Sequence, residues 1–312
     1  MTWCGLEAEK RLLLSQSLAP STIKTYSTGV RHFFNFCQQF FIPVLPIEEV
    51  VLENFASSMA HRVGFNTIKV YLCGIQTFSI VHRCPVKIRD MTSLKYVLRG
   101  IKRSQGPSHT RITKDPISMA QLRHIISVIK QSYTPRDGNM FMAAILLAFF
   151  GMLRVSEYTA PSISTYEPSC HLGINDVGVN WQRQIMHVNI KISKTDPFRE
   201  GATVRIPVLA NELCPVRAML RFLVTRPPIR GPLFQFCDGR FLTRAHITAL
   251  LTRAFPNNQR ISSHSFRRGG ATALANSGTP DYIIQLLGRW KSDAYLQYIS
   301  LPDNFSRKLL ST

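Results

Sequence analysis

Between Met140 and Leu153 the chain runs through MFMAAILLAFFGML, fourteen residues without a polar or charged side chain, and then meets Arg154. Such a run must leave water, and few folds can take it. It is shorter than the roughly 20 residues a membrane span needs, so the pattern predicts a helix over 139–153 buried in a globular core. A helix that is apolar all round needs neighbours all round. A chain of 312 residues with 45% hydrophobic content can supply them, as one large domain or two. The arginine at the end of the run is the first clue to chemistry. A charge beside a core is costly unless it is paired. Glu157, one helical turn on, can pair with it. Alternatively, Arg154 faces a cleft where an external anion completes it, and the planar guanidinium fork suits phosphate because it donates two parallel hydrogen bonds.

Charge points the same way. Lys and Arg number 38 against 18 acids, a net +20, and an excess of this size is most simply tolerated by a chain with a phosphate-rich partner. The basic residues are spread along the whole sequence, which favours nucleic acid over a polybasic membrane tail. Seven cysteines are scattered with no C-x-x-C pair to begin a zinc site, and they read as reduced thiols of a cytosolic or nuclear protein. The early charges Glu7, Glu9, Lys10 and Arg11 are unlike a secretory signal.

Periodicity divides the chain. Apolar residues recur at helical spacing through Ile23, Tyr26, Val30, Phe33, Phe34 and Cys37, and similar stripes cover Ile47–His61, Asn66–His82 and Ser93–Arg103. This predicts a bundle of four or five short helices carrying basic residues such as Lys24, Arg31, Lys69 and Arg99 on its surface. The polar, proline- and glycine-containing stretch Ser104–Ser118 has no apolar period and reads as a linker. Helical pattern resumes at Met119–Gln131. Ile185–Ile192 and Ala202–Val208 then alternate like strands around the polar turn Ser193–Gly201, predicting a hairpin or small sheet. Further helices are expected at Pro215–Thr225, Thr243–Phe255, Ser263–Ala275, Pro280–Leu287 and around Ala294–Ile299.

Three more segments carry candidate chemistry. In HSFRRGG, His264 and Arg267 share a helical face, with Ser262 or Ser263 able to cap the start. Gly269 and Gly270 each cost roughly 1 kcal/mol in a helix relative to alanine, so they imply a close approach by another backbone. In LGRWKSDAYLQYI, Tyr295 and Tyr298 lie one turn apart, and at least one should be a packing aromatic. Lys194 sits where a strand ends in SKTDP, ordinarily a solvent-exposed position.

In chain order, an arginine after an apolar helix, a lysine on a hairpin, H-x-x-R, G-R-W and a closing Y-I resemble the tyrosine recombinases and phage-type integrases. The resemblance covers most of Met119–Ser300, and the helical Met1–Arg103 is similar to their core-binding domain. The strings SKTDPFREG, HSFRRGGAT and LGRWKSDAYLQYI are most similar to recombinases of eukaryotic transposable elements, the crypton, Ngaro and DIRS-like groups. The resemblance implies a mainly α fold with a small β-sheet: a helical core-binding domain (1–105), a linker (106–118) and an α+β catalytic domain (119–312). It places Arg154, Lys194, His264, Arg267, Trp290 and Tyr298 in the catalytic positions, with Glu157 as a supporting acid. Counting back from the nucleophile without a gap, the family's histidine position falls on Arg289. Because Cre-like members use tryptophan there, Trp290 takes the role with a one-residue shift.

The implied chemistry is cleavage and rejoining of DNA through a 3′-phosphotyrosine. Tyr298 would attack, His264 act as base, Lys194 as acid, and Arg154 and Arg267 clamp the phosphate. No P-loop string occurs, and neither metal nor nucleotide cofactor is expected. Double-stranded DNA is the expected partner, bound by a homotetramer, with no membrane association. Asn304–Leu310 is a segment that could dock on a neighbouring subunit. The setting would be the nucleus in a eukaryote and the cytoplasm otherwise. The competing reading is a domesticated, catalytically silent DNA-binding protein that keeps the fold. An unrelated RNA- or membrane-binding protein would require the ordered set of residues to be coincidence.

Overall fold

Five helices account for the first hundred residues: α1 (Trp3–Gln16), α2 (Pro20–Gln39), α3 (Glu49–Met59), α4 (Phe65–Val81) and α5 (Thr92–Gln105). The computed structural model describes residues 2–106, 114–162, 164–194, 196–226, 228 and 230–299. The chain divides between Arg111 and Ile112 into two compact units. In the first, Phe33, Leu52, Phe55, Ile68, Ile75 and Leu94 are fully buried in one core. Helices α2 and α4 cross closely because each offers a glycine to a tyrosine of the other. A Cβ on Gly29 would come within 2.6 Å of the Tyr71 backbone, and one on Gly74 within 2.9 Å of Tyr26. Helix α1 was not singled out by pattern. Its large apolar residues Trp3, Leu6, Leu12, Leu13 and Leu14 are exposed, so they mark no stripe.

The predicted linker begins too early at one end and finishes too late at the other. Ser104 and Gln105 belong to α5, and Gln105 is buried. Its amide accepts from Phe65 N–H (2.7 Å) and donates to the carbonyls of Ala60 (2.8 Å) and Val63 (2.9 Å), tying the end of α3 to the start of α4. Residues 107–113 lie outside the described residues. Beyond them the chain packs on the second unit: Asp115 N–H bonds to Arg260 O (3.0 Å), Ile117 N–H to Ser265 O (3.1 Å), and the Ile117 side chain is buried. An extended segment with two lateral bonds has no period to read, which is why it passed for linker.

The second unit is built on α6 (Met119–Ser132) and α7 (Pro135–Phe150), followed by the short α8 (Val155–Tyr158). Ser118 and Gln121 form a reciprocal capping box at the start of α6. Thr134 caps α7, whose residues from Met140 to Phe149 are buried apart from Met142. Strands β1 (Val177–Asn180), β2 (Ile185–Ile190) and β3 (Ala202–Pro207) form an antiparallel sheet in the order β1-β2-β3. Met186, Val188, Ile190, Val204 and Ile206 face the core, the alternation the sequence predicted. Strand β1 was not foreseen: it is four residues long, contains Gly178 and is only half-buried. Then follow α9 (Pro215–Thr225), α10 (Arg244–Ala254), α11 (His264–Asn276), α12 (Asp281–Leu287) and a 3-10 turn, Asp293–Gln297. Helix α7 packs against α9 and α11. No described helix is long and apolar enough to cross a membrane. Asn304–Leu310 lies outside the described residues.

One helix end departs from expectation, a second closes with the same turn, and both matter for the site. Helix α7 stops at Phe150, three residues before the predicted Leu153, so Arg154 does not end it. Instead Leu153 N–H bonds to Ala148 O (3.0 Å) and Met152 N–H to Phe149 O (3.2 Å), with Met152 left-handed at φ 46°. Helix α12 ends the same way, with Trp290 N–H on Gln285 O (3.0 Å), Arg289 N–H on Leu286 O (3.0 Å) and Arg289 at φ 58°. These are Schellman turns, in which the left-handed position usually falls to glycine. Methionine and arginine there cost roughly 1–2 kcal/mol each.

Candidate active site

Helix α11 carries the centre of the site. Gly269 and Gly270 let it lie directly on its neighbours: a Cβ would meet Ile117 O at 2.3 Å and Phe149 O at 2.2 Å, respectively. That close approach buries Arg267 completely. Its guanidinium donates through Nη1 to Met152 O (2.6 Å) and through Nη2 to Gly288 O, so the carbonyl ends of α7 and α12 both hold it. The Trp290 ring lies 4.3 Å from the guanidinium carbon. Among the described residues nothing accepts from Arg267 Nε. Burial first, and then repulsion from Arg154 and Arg289, push its pKa down to about 9, which leaves it protonated at neutral pH.

One carboxylate holds the other two arginines. Arg154 is the cap residue of α8, and Glu157, three residues on, accepts from Arg154 N–H (2.9 Å) through Oε2 and from Arg154 Nη1 (2.9 Å) through Oε1. Arg289 Nη2 reaches the same Oε2 at 2.8 Å, and donates to Met152 O at 3.4 Å. Ser193 closes the network: its hydroxyl accepts from Arg154 Nη1 (2.8 Å) and donates to Glu157 Oε1 (3.0 Å). The Glu157 side chain is 1% exposed. Burial alone would raise its pKa, but the Arg289 charge, the Arg154 N–H bond and the Arg154 charge together lower it. Both sequence readings of Arg154 are therefore compatible, since Glu157 pairs with it while Arg289 shares that carboxylate.

Tyr298 follows the 3-10 turn and is half-buried. Its ring packs at 5.0 Å against His264 and at 5.0 Å against Trp290, and the Arg267 guanidinium carbon lies 5.7 Å from its centroid. Tyr295 is different. It is buried, tilted against Trp290 at 6.4 Å, and burial together with the Asp281 and Asp293 carboxylates raises its pKa. An acidic surrounding opposes phenolate formation at Tyr295.

Of the residues singled out by sequence, Arg154, Glu157, His264, Arg267, Trp290 and Tyr298 come together. Lys194 sits apart in the exposed turn after β2 and bonds to no described residue, although its neighbour Ser193 is part of the arginine network. Trp290 packs between Arg267 and Tyr298, and its buried indole N–H meets no acceptor among the described residues. That packing requires Gly288, where a Cβ would fall 1.5 Å from the indole ring. Arg289, onto which the ungapped count falls, points to Glu157. Ser193 was missed, and its only signal in the sequence is adjacency to Lys194.

No family model matches the chain. A curated relative, an integrase/recombinase xerD homolog of Selenomonas ruminantium, is 25% identical over 321 residues, covering 98% of this chain and 89% of that protein. Among solved structures, the chain is similar to XerH site-specific recombinase bound to palindromic difH substrate in a post-cleavage complex. The TM-score is 0.63 at 18% identity, over 92% of this chain and 77% of that one. For the Tn1549 transposon integrase in complex with transposon right end DNA the TM-score is 0.61 at 16% identity, over 99% and 98%. For a lambda integrase dimer bound to a COC′ core site it is 0.55 at 13% identity, over 95% and 76%. The mainly helical fold with a small antiparallel sheet is thus the fold of these integrases and recombinases.

Proposed function

We propose that the protein is a site-specific DNA recombinase of the tyrosine type, which cleaves and rejoins strands through a 3′-phosphotyrosine. The observation that carries this reading is a charge imbalance beside a tyrosine. Arg154 and Arg289 share the single carboxylate of Glu157, and Arg267 lies buried beside them on two backbone carbonyls, so among the described residues the cluster holds three guanidiniums to one carboxylate. An arriving phosphate offsets that excess, and the donors already aimed there stabilise the charge that grows in the transition state. The similarity to a curated integrase/recombinase and to DNA-bound recombinases supports the same reading. The finer likeness to recombinases of eukaryotic transposable elements rests on the sequence strings alone.

In the proposed step, the Tyr298 hydroxyl attacks a backbone phosphorus and the bond to the 5′ oxygen breaks. The phenolic proton passes to His264, whose ring faces Tyr298. The leaving 5′ oxygen takes a proton from Lys194, which the turn after β2 can carry toward the DNA. Attack by the 5′-hydroxyl of a partner strand reverses the step, so bond energy is conserved. Exchange between two duplexes calls for an assembly of four copies on DNA.

The test is a nicked suicide duplex that loses the leaving strand and traps the adduct. The unmodified chain should form a covalent protein–DNA species, Tyr298→Phe should bind DNA without forming it, and Tyr295→Phe should still form it. Binding without any adduct, on several duplexes carrying the cognate site, would instead identify a silent DNA-binding protein.

A further inference from the structure

Arg268, next to the buried Arg267, has no part in the phosphate clamp described above, yet it reaches the nucleophile. Its Nη1 donates to the carbonyl of Gln297, the last residue of the 3-10 turn. Its guanidinium carbon lies 5.9 Å from the Tyr298 ring centroid. One helical turn along α11, the Thr272 hydroxyl donates to the carbonyl of Tyr298 itself at 3.3 Å. Two side chains of one helix thus grip the two consecutive carbonyls that bracket the Tyr298 amide and Cα. The 3-10 turn is only five residues long, and the closing bond from Tyr298 N–H to Tyr295 O (2.8 Å) fixes only one side of the tyrosine.

We infer that Arg268, assisted by Thr272, is a positioning residue that locks the Tyr298 turn onto the helix bearing His264 and Arg267. This inference rests on the recombinase reading. Its physical logic is that reacting groups must be held within tenths of an ångström of the productive geometry. The Tyr298 side chain meets the His264 and Trp290 rings and the Arg267 and Arg268 guanidiniums, contacts that leave its backbone to a separate anchor. The lock also binds the nucleophile to the phosphate clamp of its own subunit. Arg268 acts through the Gln297 carbonyl and not on the reacting atoms.

The experiment is single-turnover adduct formation on the suicide duplex at saturating protein, with DNA affinity measured in parallel by gel shift over a range of salt. Arg268→Ala is expected to slow adduct formation on the order of 10- to 100-fold at saturation, with affinity and its salt dependence close to those of the unmodified chain. Arg268→Lys, which keeps a donor for the Gln297 carbonyl, should recover part of the rate. Thr272→Val should slow the step less, with the same split between rate and affinity. Thermal melts of each variant identify any that fail to fold, and Thr272→Val, the milder change, then carries the test. If Arg268→Ala lowers affinity, flattens the salt slope by about one counterion and regains full rate at saturation, Arg268 is a phosphate contact and the inference is overturned. Normal rates in both variants overturn it as well. An unmodified chain that binds but forms no adduct refutes the recombinase reading itself, a result distinct from either.

Discussion

The carboxylate of Glu157 accepts from two guanidiniums at once, and neither Arg154 nor Arg289 has another acid within reach among the described residues. Removing that one charge leaves two buried cations facing each other, and breaking a buried pair from one side costs about 3–5 kcal/mol. Glu157→Gln should therefore lower the free energy of unfolding by about that amount at neutral pH, measured in guanidinium chloride. The sign with pH follows from the depressed carboxyl. A group held below its unfolded pKa contributes fully above the ordinary carboxylate range, near 4, and loses its contribution as pH falls through the lower folded value. The gap between the two proteins should accordingly narrow on acidification, and a gap independent of pH would mean that Glu157 acts by shape alone. At this scale the sequence was partly legible. Arg154 announced itself as a charge abutting an apolar run, with Glu157 one turn away. Ser193 and the pairing of Arg289 with Glu157 were not legible, because the partners lie 36 and 132 positions off in the chain.

Among the elements, α11 shows how two glycines trade local preference for proximity. Gly270 sits where a Cβ would meet the Phe149 carbonyl at 2.2 Å, while Gly100 on α5 has open space around it. The same substitution should thus have opposite signs at the two sites. Gly100→Ala is expected to stabilise by about 0.5–1 kcal/mol, the helix-propensity gain. Gly270→Ala must push α11 off α7, at a cost of about 1–3 kcal/mol, and should reduce adduct formation by displacing Arg267. Thermal melts of both variants check this, and equal shifts would show that α11 can move without penalty. The longer helices were legible because burial imposes a period on their sequences. The end of α7 was not, nor were the left-handed turns that close α7 and α12. Glycine is the usual signal for a left-handed residue, and here Met152 and Arg289 occupy those positions because their carbonyl and side chain are needed at the site. Strand β1 and the extended 114–118 segment escaped for a simpler reason, since neither is long enough to show a repeat.

For the molecule as a whole, the net charge of +20 makes a quantitative demand. If it serves a duplex, the logarithm of affinity should fall linearly with the logarithm of salt, with a slope steeper than about −5, as counterions leave several phosphates at once. Fluorescence anisotropy across a salt series measures this, and a slope near zero would mean that the charge is not directed at a backbone. Two units were legible from the change of pattern near residue 105, whereas the join was blurred by a segment that is polar in composition yet packed in fact. The placement of groups on α11 has a consequence of its own. His264, Arg267, Arg268 and Thr272 ride on one rod, and through the last two so does Tyr298. Any tilt of that rod carries His264, Arg267 and Tyr298 together, leaving their mutual spacing unaltered. Lys194 arrives from a separate hairpin whose Ser193 also bonds Arg154 and Glu157, so on the proposed reading a partner or a DNA sequence that repositions that hairpin acts on strand release and on the arginine network together.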